Sequence, residues 1–222
     1  MSKKLFSKLF GLLLVAGLLF AAAPTGQAQA ESEIIYNAIP ATLAPSYVSA
    51  AFQATQTDEF GDYVVLGGTN RDLDTVSVTM VTWAYQSNYS GAPYEDPTGW
   101  DHPITLNIYN VIPGDPATLP NTLGTLIGTK TVEFHLPWRP EPDLIHCTEN
   151  RWYDAGTGLC SNGYAFNITF ELSDLDITLP DAIVLGIAFN TMSYGVTPIG
   201  IAGPYDSLNV SVSGEQDRKS VV

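Results

Sequence analysis

A continuous apolar run at 179–190, Leu-Pro-Asp-Ala-Ile-Val-Leu-Gly-Ile-Ala-Phe-Asn, opens on a turn signal and organises the pattern of the whole chain. In an extended backbone Ile183, Leu185, Ile187 and Phe189 share one face, while Val184, Gly186 and Ala188 keep the other small and apolar. Such a segment predicts a strand buried on both sides, in the middle of a sheet. Most other candidate strands alternate apolar with polar positions, which predicts half-buried antiparallel strands around it. They fall at 48–56, 60–67, 73–83, 104–109, 123–136, 164–172 and 207–212. The alternation is plainest at 73–83, where Val76, Val78 and Met80 interleave with Thr75, Ser77 and Thr79, and at 164–172, where Phe166, Ile168, Phe170 and Leu172 interleave with polar or small residues.

Between these strands lie segments rich in Gly, Pro and Asp, and no helical period lasts more than a turn after residue 30. The residues between 85 and 102 read as a long polar and aromatic loop, with Tyr85, Tyr89, Tyr94 and Trp100 in it. The expected fold is therefore all-β, a two-sheet antiparallel sandwich of jelly-roll type with about eight strands. The expected division is a leader at 1–30, one sandwich domain at 31–214 and a polar tail at 215–222.

The leader is read from its own pattern. Lys3, Lys4 and Lys8 precede an apolar run at 9–23, and Ala28-Gln29-Ala30 gives a small-residue cleavage signal, so the segment is expected to be a secretory signal peptide. The run falls short of the roughly 20 residues that span a bilayer. Its removal leaves six basic against 23 acidic residues, which disfavours binding to nucleic acid or to an anionic membrane surface. In an exported chain the two cysteines, Cys147 and Cys160, are expected to form a disulfide closing a polar surface loop. Such a closure stabilises by about 3 kcal/mol in the chain-entropy picture.

A resemblance joins these elements. Phe60-Gly61-Asp62, the strand at 73–83, Asn107-Ile108-Tyr109, the segment from Gly124 to Gly128, the Leu-Pro-Asp strand and the segment from Gly203 to Asn209 together resemble uncharacterised exported bacterial β-sandwich proteins. The resemblance implies the fold and the compartment, and it carries no catalytic residues.

Candidate chemistry is sparse. The chain has no Gly-x-Ser-x-Gly, His-Glu-x-x-His, P-loop or dinucleotide fingerprint. Asp58, Glu59 and Asp62 cluster at the first strand junction, and two readings of them stay open: a calcium site built from carboxylate oxygens, or acidic residues that only shape a turn. Glu133 and Glu171 are Glu residues within strands, and a glycosidase would need such a pair facing one another about 5–10 Å apart. Against that enzyme reading stands a secreted, non-catalytic binding domain for an extracellular glycan or protein surface. Its expected site follows from strand counting. If successive strands run antiparallel, the turn at Asp58, the loop at 85–102, the disulfide loop and the loop at 191–204 emerge at one pole. The expected binding residues there are Trp100, Trp138, Arg139 and Trp152, on the premise that their side chains are exposed.

Overall fold

A computed structural model describes residues 33–115 and 120–212. The expected leader and the expected tail fall outside the described residues. From Ile34 onward the chain forms one unit, built from strands β1 (Ser49–Ala50), β2 (Phe60–Val65), β3 (Thr75–Thr82), β4 (Gly99–Ile112), β5 (Thr122–Pro137), β6 (Trp152–Asp154), β7 (Leu159–Ser161), β8 (Tyr164–Glu171), β9 (Ala182–Ala188) and β10 (Leu208–Ser211). One sheet has the order β1-β10-β3-β8, the facing sheet the order β2-β9-β4-β5, and β6 pairs with β7 in a small separate hairpin. Every pairing between these strands is antiparallel. With β6 and β7 set aside, these two orders are those of a jelly roll, in which early and late strands interleave in both sheets.

β9 lies between β2 and β4, as its two-sided apolar pattern predicts. Ile183 and Ile187 are buried in the core together with Ile104, Leu106 and Ile108 of β4, and the facing sheet contributes Val76, Met80, Ile168, Phe170 and Leu208. On the outer face of β9, Val184 and Ala188 are buried as well. Their cover comes from neighbouring strands. Gly186 leaves a space that the Glu59 side chain fills, since a Cβ built there would lie only 1.8 Å from Glu59 Oε1.

The structure departs from the expected elements in three places. The segment expected as a strand at 48–56 forms only β1, followed by a helical turn, α1 (Phe52–Thr55). Phe52 drives this choice: the turn aims its ring into the core, 4.8 Å from Phe60 and 4.4 Å from Phe189 between centroids. The fourth strand begins at Gly99, not 104, and carries Trp100 and His102 into the core. Pro103 hid this extension, yet it sits where β4 has run past the end of β9, whose pairing starts at Thr105, so its missing N–H breaks no bond to β9. The disulfide loop holds the hairpin β6–β7, whose turn is set by Gly158 at φ 73° and by the Asp154 carboxylate, which accepts bonds from the Gly156 N–H and the Thr157 hydroxyl.

The lead-in segment does more than connect. Ala165 N–H donates to the Pro45 carbonyl at one side of its sheet, and Ser49 pairs with Ser211 at the other, so residues 45–49 cross that sheet's outer face. Val81, Ala165 and Asn209, which share one row there, are buried, and Asn209 Nδ2 donates to Ser49 Oγ.

Cys147 and Cys160 are bonded, with Cα atoms 5.8 Å apart. The bond joins the loop at Cys147 to β7 and touches neither main sheet. Reduction is therefore expected to raise proteolytic cleavage within 140–163 while the far-ultraviolet circular dichroism of the sandwich persists. Loss of the β signal on reduction alone would show that the bond holds the core.

Candidate functional site

The four loops expected at one pole do meet there. β3 ends and β8 and β10 begin side by side, with Thr82 opposite both Tyr164 and Leu208, and Gly99 at the start of β4 opposes Pro137 at the end of β5. Contacts between the loops close the end. Gly195 N–H donates to Asp58 Oδ1, Tyr89 stacks on Trp138 at 5.7 Å between centroids, and Ser87 bonds Glu141.

The expected binding residues face the other way. Trp100, Trp138 and Trp152 are 2%, 8% and 6% exposed, so they are not a stacking platform, and the premise on which they were chosen fails. Each has an interior role. Trp100 alternates inward with His102 and Ile104 on β4, and its ring lies among His102, Trp138 and Tyr205. The Trp138 indole N–H donates to the Asp96 carbonyl, and that of Trp152 to the Gly163 carbonyl. Arg139 is buried too. Its backbone N–H bonds the Ala84 carbonyl, Nη1 and Nη2 donate to the carbonyls of Asn162 and Asn150, and the guanidinium lies 4.5 Å over the Tyr85 ring. Burial lowers its pKa. Arg139 thus ties the disulfide loop to the segment after β3. Of the four tryptophans only Trp83 is exposed, and it sits against Gly163 at this same pole.

The proposed calcium ligands separate. Strand alternation at β2 sends Asp62 to the face of Phe60 and Val64, and Glu59 to the opposite face, that of Gly61 and Gly186. Glu59 accepts bonds from Asn107 Nδ2 at 3.0 Å and from the Tyr109 hydroxyl at 2.9 Å, while Asn107 in turn accepts from Thr129. Among the described residues no group of three His, Cys, Asp or Glu side chains is placed to hold a metal ion. Glu133 and Glu171 also part company. Glu133 points outward from β5, and Glu171 outward from β8 in the other sheet, so the sandwich thickness of about 10 Å and both outer layers lie between them. They form no glycosidase pair.

The three histidines take different surroundings. His102 is buried against Tyr205, its rings 4.6 Å apart and nearly parallel, with Nε2 bonded to the Asn190 carbonyl; burial lowers its pKa. That bond requires the proton on Nε2. His135 and His146 are exposed and pair with Asp101 and Asp143, each at 2.8 Å.

A shallow, open cleft of about 340 Å³ lies at the pole, its tyrosines packed against Trp138. Gln86, Ser87, Tyr89, Tyr94, Glu95 and Glu141 line it. Tyr89 and Tyr94 are half-buried and pack edge to face, with centroids 5.9 Å apart. Tyr89 lies near Ser207 and Tyr94 near Tyr205, whose own hydroxyl donates to the Ile201 carbonyl. Burial raises the pKa of both. Sequence pattern placed Tyr89 and Tyr94 in the right loop, but an irregular segment has no period to separate rings that pack from rings that line a cleft.

Truncation should reveal these roles. Trp138→Ala is expected to lower the unfolding free energy by about 3–5 kcal/mol in urea titrations; a change under about 1 kcal/mol would contradict its place in the core.

Burial, followed by the Glu59 hydrogen bond, raises the Tyr109 pKa to about 12. The unfolded chain releases this proton near pH 10, so Tyr109 contributes stability that is whole below about pH 10 and is lost as pH rises to about 12. Tyr109→Phe should therefore remove one late-titrating phenol from the absorbance titration and flatten the stability loss in that window. An unchanged titration curve would contradict the assignment.

Neither a protein-family model, nor a curated protein, nor a solved structure matches this chain.

Proposed function

We propose that the protein is an exported, non-catalytic binding domain that takes a saccharide in the cleft at its loop-bearing pole. The observation that carries this reading is the cleft itself. It sets two tyrosine rings beside Gln86, Ser87 and Glu141, the combination of apolar ring and hydrogen-bonding groups that suits a sugar. A pyranose has apolar C–H faces and a rim of hydroxyls, and its ordering costs little where the rings are already held. Both rings here are held, since they pack edge to face on one another and both lie against Trp138.

Export is supported by the pattern of the first thirty residues and by the bond between Cys147 and Cys160, since disulfides persist in oxidising compartments. Among the described residues no helix is long and apolar enough to cross a membrane. The non-catalytic reading is supported by the separation of Glu133 from Glu171.

Calorimetric titration of the purified protein with short oligosaccharides tests the reading. Saturable binding is expected, weakened about tenfold in Tyr94→Ala, the loss typical of one stacking ring at a binding surface. Glu171→Gln, at the opposite pole, should bind as the parent does. Absence of binding to any saccharide, or equal losses in both variants, would refute the cleft as a sugar site.

A further inference from the structure

The lining of the cleft also bears on the charge of its ligand. Glu95 and Glu141 both contribute to it, and the lining contains no Lys, Arg or His. Glu141 is oriented by Ser87, whose N–H bonds Oε1 at 3.0 Å and whose hydroxyl bonds Oε2 at 2.7 Å. A carboxylate has about four acceptor positions, so each oxygen keeps capacity for a further donor. Beside it stand Tyr89 and Tyr94, with an interplanar angle of 72°. Both tyrosines are half-buried in the lining, and the negative faces of such rings attract cations.

Rings and carboxylates therefore favour the same kind of group, and the excess of acidic over basic residues reinforces them by repelling anions over a longer range. The Arg139 guanidinium attracts Glu141 from outside the lining, but a neutral sugar would bring no cation of its own to Glu141 or Glu95. We propose that the ligand is an amino sugar with a free, protonated amine, the ammonium group lying between Glu141 and the tyrosine rings. The proposal rests on the saccharide reading and adds the charge to it. N-acetylation of the same sugar removes both the charge and two of the three donors of the ammonium group.

The test compares oligomers of equal length made of glucosamine, N-acetylglucosamine or glucose, with a lysine-containing peptide as a fourth ligand, all titrated calorimetrically into the purified protein. The glucosamine oligomer is expected to bind about tenfold more tightly than the acetylated one, with the advantage shrinking between about 0.01 M and 1 M salt. Glu141→Gln and, separately, Glu95→Gln should each lower the ratio of glucosamine-oligomer to glucose-oligomer affinity, and an unchanged ratio in both variants would overturn the amino-sugar proposal. Equal affinity for the three sugars would overturn the amino-sugar proposal and leave the saccharide reading intact. Binding of the peptide without any sugar would overturn the saccharide source of the amine, and binding of none of the four would overturn both readings.

Discussion

The rest of the structure depends on having to cover β9 on two sides. Its side chains offer nothing to water on either face, so an edge position or an open outer face would leave Val184 and Ala188 wet. Placing it between β2 and β4 gives its inner face to the other sheet and brings flanking side chains within reach of its outer face. Glu59 and Tyr109 come from those flanks, and the absence of a side chain at Gly186 lets the carboxylate lie down on the sheet. A strand near the end of the chain thereby pairs with one near its beginning. That pairing, repeated by β1 and β10 in the other sheet, closes the jelly roll.

This much was legible because alternation is a direct projection of burial. Ile183 to Phe189 announced a two-sided strand, and Val76 to Met80 a one-sided one. The readings went astray where burial came without alternation. Phe52 sits in a segment with strand-like composition, but a single buried ring was better served by one helical turn than by another pair of ladder bonds. At β4 the proline disguised an otherwise regular inward series of Trp100, His102 and Ile104. The acidic cluster of the metal reading comes apart for the reverse reason. Asp58, Glu59 and Asp62 are neighbours in sequence, but residues three apart in a strand leave on opposite faces.

The loop pole shows why aromatic residues in loops are weak evidence for binding. Long loops must be ordered against an entropy cost of about 1–2 kcal/mol per residue, and apart from the short β6–β7 hairpin they have no ladder of their own to oppose it. Trp100, Trp138, His102 and Tyr205 extend the core of the sandwich into the pole. Arg139 joins this core through carbonyl groups and not through a carboxylate, so it fixes loops without offering charge to a ligand. What remains for recognition is the next layer out. Tyr89 and Tyr94 touch the buried rings on one side and line the cleft on the other, so packing the pole also positions the surface.

The distribution of cations decides what that surface attracts. Arg71 and Lys130 are paired with Asp181 and Asp174, far along the chain from the pole loops, and Arg151 is turned back onto the carbonyl and hydroxyl of Thr148. None of them lines the cleft, and the nearby Arg139 is buried. Within the lining Glu95 and Glu141 have no cationic neighbour, while Arg139 acts on Glu141 from outside it. Screening in water weakens such a field within about 8–10 Å at ordinary salt, but a group seated against the Tyr89 and Tyr94 rings lies inside that range. The same rings that exclude water from one side of the ligand would strengthen its attraction to Glu141. Apolar packing and charge thus act on one position, although they arise from different parts of the sequence.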